Sequence, residues 1–260
     1  MRVAAIQINA GSDKTANLAK AKDFINRAEA DFIALPEVFN HRGSAESTQA
    51  NAEDPDNSPS IQMLQELALK KGSWILLGSL MLKSNELPYN SSILISPQGL
   101  VTARYDKIHL FNMNYKGIEI RESSKSRAGL KPVIAQVDKL KLGMSICYDL
   151  RFPELYRHYA KERVELISVP SSFTKITGEA HWHCLLRARA IENQAFVIAP
   201  NQAGDNQGVK CFGHSLIVNP WGEILAEAGE EETIIYADLD MDELAKVRAK
   251  LPVLDHARLL

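Results

Sequence analysis

Three reactive side chains stand at the ends of apolar runs. Glu37 follows Phe32-Ile33-Ala34-Leu35-Pro36, and Cys147 follows Leu142-Gly143-Met144-Ser145-Ile146. Lys107 follows Tyr105-Asp106 and leads into Ile108-His109-Leu110. A free thiol with its reference pKa of ~8.5 is mostly protonated at neutral pH. It needs a neighbouring base or positive charge to become a useful nucleophile. Glu37 is suited to take the thiol proton and pass it to a leaving amine. Lys107 is suited to stabilise an anionic tetrahedral intermediate. The turn after the cysteine, Tyr148-Asp149-Leu150-Arg151-Phe152-Pro153-Glu154, offers the Tyr148 N–H as a second donor. Taken singly, each residue has a plainer reading: an inert core cysteine, a turn glutamate, a solvated lysine. Only the conjunction, with its local sequences, favours chemistry.

Positioning these groups falls to short strands. Val3–Ile8, Phe32–Leu35, Trp74–Leu82, Ser92–Ser96, Leu142–Cys147, Leu166–Pro170, Phe196–Pro200, Ser215–Val218 and Thr233–Ala237 are apolar and rich in Val, Ile and Leu, as buried strands are. Leu18, Ala21, Ile25 and Ala28 share one helical face. Ser58 and Pro59 read as an N-cap and first-turn proline for a helix carrying Leu64, Leu67 and Ala68. Glu154 to Ala160 and Ala180 to Asn193 are further helices. Trp74–Leu82 and Ser92–Ser96 suggest a hairpin-like pair. Alternating strands and helices with some adjacent strands predict a mixed-sheet α/β protein. Functional groups in such proteins gather where strands end. Periodicity alone does not separate a sandwich from a doubly wound sheet or a barrel.

The chain has 260 residues, formal net charge -2, 45% hydrophobic and 24% charged residues. No bulk field draws it to nucleic acid or anionic lipid. No linker, repeat or low-complexity stretch divides it, and residues 1–260 read as one domain. Three cysteines, Cys147, Cys184 and Cys211, are odd in number and widely spaced, which fits a reducing compartment. No stretch approaches the ~20 apolar residues of a membrane span, and the short N-terminal apolar run is not an export signal. A cytoplasmic protein is expected.

Leu35-Pro36-Glu37, Tyr105-Asp106-Lys107-Ile108-His109-Leu110 and Cys147-Tyr148-Asp149-Leu150-Arg151-Phe152-Pro153-Glu154 together resemble, in order and spacing, the signature segments of nitrilase-like carbon–nitrogen hydrolases. The resemblance runs from Ala4-Ala5-Ile6-Gln7 to Leu251-Pro252-Val253. It implies an αββα four-layer sandwich with mixed sheets, commonly paired into a homodimer or a higher homo-oligomer. It also implies a glutamate base at Glu37, a lysine at Lys107 supporting the oxyanion, and a thioester-forming nucleophile at Cys147. Many members carry a second glutamate near the lysine segment. Arg121-Glu122-Ser123 matches that pattern and assigns Glu122, with Glu119 as the competing candidate.

Within the superfamily, Ser171-Ser172-Phe173-Thr174, Thr177-Gly178-Glu179-Ala180-His181-Trp182, Leu185-Leu186-Arg187-Ala188-Arg189-Ala190, Phe212-Gly213-His214-Ser215 and Asn219-Pro220-Trp221-Gly222 resemble the deaminated glutathione amidase and ω-amidase branch. That branch cleaves the terminal amide of small 2-oxo acids and releases ammonia. Asn112 to Gly117 and Asp205 to Gly208 depart from the branch pattern near the expected pocket rim. Tyr148, Phe173 and Thr174 are the substrate-binding candidates, with core packing the alternative for Phe173. Rival readings are an N-carbamoyl amino-acid hydrolase, a nitrilase, or a non-catalytic binding protein on the same scaffold.

No cofactor and no metal are expected. His181, His183 and Cys184 look superficially like ligands, but helical ligand pairs sit three or four apart. Arg187 and Arg189 read as salt-bridge residues, with Glu192 or a partner subunit, the alternative being a substrate carboxylate. Arg151 reads as structural, bridging to an acid such as Glu154. No phosphate-binding glycine loop is present.

Overall fold

In a computed structural model, which describes residues 1–259 apart from Lys116 and Gln207, two mixed sheets carry the chain. The departures at Asn112 to Gly117 and Asp205 to Gly208 each include one residue, Lys116 and Gln207, that lies outside the described residues.

The first sheet contains β1 (Arg2–Gln7), β2 (Phe32–Ala34), β3 (Trp74–Leu76), β4 (Leu80–Leu82), β5 (Tyr89–Ile95), β6 (Val101–Asp106) and the late strand β17 (Thr233–Asp238). β1, β2 and β3 are parallel, and β17 closes the far edge antiparallel to β1. β5 is antiparallel to β3, β4 and β6. A hairpin of β7 (Asn112–Tyr115) and β8 (Ile118–Arg121) follows. The second sheet orders β16 (Ile224–Glu227), β15 (Leu216–Val218), β12 (Phe196–Ala199), β11 (Leu166–Ser168), β10 (Leu140–Met144) and β9 (Val133–Val137). Its middle strands β10, β11 and β12 are again parallel. A two-stranded ribbon pairs β13 (Asp205–Asn206) with β14 (Val209–Lys210).

Side-chain alternation along the strands builds the layers. In β1, Ala4 and Ile6 face α1 (Lys14–Arg27) and α3 (Pro59–Lys71), meeting Phe24, Ile25, Leu64 and Leu67. Val3 and Ala5 point the other way, into a core shared with Leu142 and Met144 of the second sheet. That core continues to Tyr156 and Tyr159 of α4 (Pro153–Lys161) and Trp182 and Leu186 of α5 (Lys175–Asn193). Helices, sheet, sheet and helices therefore stack as an αββα sandwich. The remaining helices are α2 (Ala45–Ala50), α6 (Met241–Lys250) and α7 (Val253–His256). Among the described residues no helix is long and apolar enough to cross a membrane.

Local chemistry sets the element ends. Ser58 caps α3, accepting the Ile61 N–H at 3.1 Å, with Pro59 in the first turn. The apolar run Trp74–Leu82 is two strands rather than one. Gly78, at φ 71°, breaks it, and a Cβ there would meet the Pro36 carbonyl oxygen at 2.1 Å. The break brings the chain under the bend that presents Glu37. α5 begins at Lys175, earlier than the predicted Ala180. Gly178 lies inside it, against the Phe212 ring.

Candidate active site

The ends of strands from both sheets deliver the reactive groups to one cavity. Glu37 follows β2, Cys147 follows β10, Ser172 follows β11, and Lys107 follows β6. Cys147 takes φ 47°, unusual for a residue with a side chain, and turns the strand sharply into a 3-10 helix. Such conformations persist only where the surroundings over-determine them. Here the Cys147 N–H donates to the Pro170 carbonyl at 3.0 Å. Asp149, fully buried, accepts the Ile146 N–H at 2.9 Å and the Tyr105 hydroxyl at 2.7 Å. It also accepts the His109 N–H at 3.0 Å. Asp149 thus ties the turn after Cys147 to both flanks of Lys107, which explains why those two segments occur together.

Lys107 is 2% exposed, and its Nζ donates to Glu37 Oε1 and Glu122 Oε2, each at 2.8 Å. Asn90 Nδ2 bridges the same carboxylates, at 2.9 Å to Glu37 and 3.1 Å to Glu122. The Ser172 N–H donates to Glu37 Oε2 at 2.8 Å, and the Glu37 carboxylate lies against the Cys147 thiol. The Phe111 N–H donates to Glu122 Oε2 at 2.6 Å. Glu119 is elsewhere, exposed on the hairpin and paired with Arg121 at 2.5 Å.

Electrostatics follow from this crowding. Burial disfavours charge on Lys107, but Glu122, Glu37 and Cys147 overcome it and hold the ammonium well above its ordinary value. Burial likewise opposes ionisation of Glu122. Lys107, the Phe111 N–H and Asn90 outweigh burial and hold the carboxyl below its usual range. Burial and the Glu37 charge push the Cys147 thiol well up, against the pull of Lys107. The net direction favours the protonated thiol over the thiolate before substrate arrives.

Glu122 gives a stability prediction with a definite sign. Its folded pKa lies below the ~4.3 of an unfolded glutamate, so its contribution is fully present above that value. The contribution is lost as pH falls through the folded value. Glu122→Gln should therefore lower the melting temperature at neutral pH and flatten its fall on acidification below about pH 5. Thermal melts across that range check it; a variant whose acid limb parallels the parent contradicts it.

The cavity has a volume of about 260 Å³ and is lined by Glu37, Lys107, Glu122 and Cys147, with Thr174 on its wall. Phe173 does not border it. The ring is 3% exposed and packs on Trp182, with centroids 5.0 Å apart. The Tyr148 side chain is also off the wall, tilted on Phe111 at 5.0 Å. Its N–H opens the 3-10 helix, where no intrahelical acceptor is available. Arg151 does not reach Glu154; its Nη1 meets His181 Nδ1 at 3.1 Å, and its guanidinium lies over the Tyr148 and Phe173 rings. Arg189 bridges to Glu192 at 2.6 Å, while Arg187 donates to the Gly222 carbonyl at 2.7 Å.

Sequence reasoning did not find Asn90, the Ser172 N–H, Arg42 or Lys125. Asn90 had a signal, a polar Asn90-Ser91-Ser92 step inside an apolar strand. Arg42 and Lys125 line the cavity and bring its charged side chains, with Lys107, to three cations against the two carboxylates. His41 adds no charge near neutrality, because burial and the nearby Lys14 and Lys125 hold it below the ordinary imidazole value.

The chain belongs to the carbon–nitrogen hydrolase family, whose pattern matches residues 2–249. It is 37% identical over 264 residues to the deaminated glutathione amidase of Yersinia enterocolitica, covering 98% of this chain and 92% of that one. It is 37% identical over 262 residues to the human omega-amidase NIT2, covering 99% and 95%. The crystal structure of Saccharomyces cerevisiae Nit3, from branch 10 of the nitrilase superfamily, matches with a TM-score of 0.89 at 34% identity, over 97% of this chain and 94% of that one.

Proposed function

We propose that this hydrolase cleaves the terminal carboxamide of a small 2-oxo acid, of the deaminated glutathione or 2-oxoglutaramate type, through a cysteine thioester. The observation that carries the reading is a small cavity in which Cys147, Glu37, Lys107 and Glu122 converge, with the Lys125 cation on its wall. Lys125 offers the charge-assisted hydrogen bond that a substrate carboxylate takes. The names of the similar amidases support the same class.

The amide carbonyl sits between the Cys147 sulfur and Lys107. As sulfur attacks carbon, the thiol proton passes to Glu37, and Lys107 and the Tyr148 N–H hold the oxyanion. Glu37 returns the proton to the departing nitrogen, the C–N bond breaks, and ammonia leaves a thioester. Water, deprotonated by Glu37, attacks the thioester, and the restored thiol leaves the acid product. Glu122 positions Lys107 and keeps it charged. Thr174 meets the substrate from the cavity wall.

The catalytic unit is read as one domain, residues 1–260, because both sheets contribute to the site. A homodimer or higher homo-oligomer is read from exposed apolar side chains, Ile191 at 47%, which lies against Gly222, and Trp221 at 55% beside that glycine in the chain. Cytoplasmic residence is read from three free cysteines.

Ammonia release should be measured from 2-oxoglutaramate, deaminated glutathione, an N-carbamoyl amino acid and a simple nitrile. The highest kcat/KM is expected for one of the 2-oxo acid amides. Preference for the carbamoyl compound or the nitrile overturns the substrate class. Lys125→Met should raise KM for the anionic amide about tenfold, the worth of one charge-assisted hydrogen bond. A neutral short-chain amide should be unaffected.

A further inference from the structure

Away from the cavity, three ligand-type side chains converge from separate elements. His183 lies on α5, His214 precedes β15, and Glu227 ends β16. His183 Nε2 is 2.9 Å and His214 Nδ1 2.8 Å from the same Glu227 Oε1. The three candidate ligand atoms all lie within 4.8 Å of one another. Counting along α5 alone pairs His183 with His181 and Cys184, which the helix turns apart. The partners of His183 instead come from strand β16 of the second sheet and the loop that enters β15.

The surroundings fix these rings. His214 has φ 50°, following Gly213 at φ 70°. Its N–H donates to the Gly229 carbonyl at 2.9 Å, and its carbonyl accepts Trp182 Nε1 at 2.7 Å. The His214 ring stacks on Phe212 with centroids 4.4 Å apart, and His183 stands edge-on to Phe212 at 5.9 Å. All three side chains keep some solvent access, which leaves an entry path.

We propose that His183, His214 and Glu227 form a binding site for a divalent transition-metal ion of the zinc class. Two imidazole nitrogens and one carboxylate oxygen suit zinc, cobalt, nickel or copper, whereas calcium and magnesium favour all-oxygen shells. Bonds of about 2.0–2.2 Å at tetrahedral angles place ligand atoms about 3.4 Å apart, so each nitrogen–oxygen gap opens by only about half an ångström. Neutral imidazoles need lose no proton: each moves its hydrogen to the other ring nitrogen and presents a lone pair. Three protein ligands leave a further position for water. The bound ion would clamp α5 to the segment from Cys211 to His214. Cys211 lies 3.0 Å from an Arg42 guanidinium nitrogen at the cavity wall, so the clamp reaches that wall.

Chelator-stripped full-length protein should be titrated with Zn²⁺ by calorimetry, and with Co²⁺ by visible absorption. Saturable binding of one ion per chain is expected, with a cobalt spectrum that lacks a thiolate charge-transfer band. His183→Ala and Glu227→Gln should each weaken binding by about tenfold or more, and Cys184→Ser should not. Glu227 is a partly exposed side chain, so its variant tests the site even if His183→Ala folds poorly. Absence of saturable binding, binding unchanged in Glu227→Gln, or binding lost in Cys184→Ser overturns the site.

Discussion

Replacing Cys147 with alanine is expected to lower kcat by a factor of the order of 10⁵–10⁶, as removal of a covalent nucleophile does when the other catalytic groups remain. The fold should survive. The substitution removes a single sulfur atom from a buried position, and the N–H to Pro170 bond and the Asp149 contacts that fix the turn do not involve the side chain. The melting temperature should stay within a few degrees of the parent, since one removed atom forfeits about 1 kcal/mol of burial. Ammonia release and a thermal melt on one preparation separate loss of chemistry from loss of structure. Comparable turnover in a folded alanine variant would mean that another group attacks the amide.

Glu37→Gln carries the second large effect, and its two consequences have opposite signs. Hydrolysis should slow by about 10²–10⁴-fold, the usual worth of a positioned general base. Direct alkylation of Cys147 by iodoacetamide should become faster near neutral pH. Burial and the Glu37 charge together push the thiol up, while Lys107 pulls it down. Removing the carboxylate's charge leaves burial against Lys107 and the Ser172 N–H, so the thiolate forms at lower pH. A glutamine keeps the side chain's shape and one acceptor oxygen for Lys107 and Asn90, while its amide nitrogen faces the Ser172 N–H and forfeits that one bond. The alkylation rate of Cys147, followed against pH by mass spectrometry, is the measurement. Slowing of both reactions would mark Glu37 as a structural residue.

The parts of the molecule legible in its sequence are those where burial and chemistry coincide. The central parallel strands β1, β2, β10, β11 and β12 are apolar over most of their length because both faces are covered there, and each was visible as a run. β6 was not, since Thr102, Arg104 and Asp106 alternate with its apolar residues, and β9 and β16 are short, partly exposed runs that did not stand out. Gly178 lies before the helix expected from Ala180 but inside the one that forms. In the fold its missing side chain is what lets Phe212 lie against α5. The Glu37, Lys107 and Cys147 segments were legible because Pro36, Asp149 and His109 accompany them in fixed patterns. Asp149 shows the physical reason, since one buried carboxylate organises two distant segments at once.

Pocket composition was far less legible. Arg42 and Lys125 come from loops after β2 and after the hairpin, and a lone cation in a loop carries no sign of what it faces. Phe173 shows the converse: adjacent to pocket residues in sequence, its ring turns into the core on Trp182. Glu122 and Glu119 are three residues apart and indistinguishable by composition. The hairpin β7–β8 separates them, leaving Glu119 in solvent and carrying Glu122 back to Lys107.

Acid-quenched mixtures of enzyme and a 2-oxo acid amide, digested and sequenced by mass spectrometry, test the convergence of these groups on one sulfur most directly. The expected result is a peptide carrying the acyl group on Cys147, formed with release of one ammonia and removed by hydroxylamine. An acyl group on Cys184 or Cys211, or none on any cysteine while ammonia is being released, would contradict it.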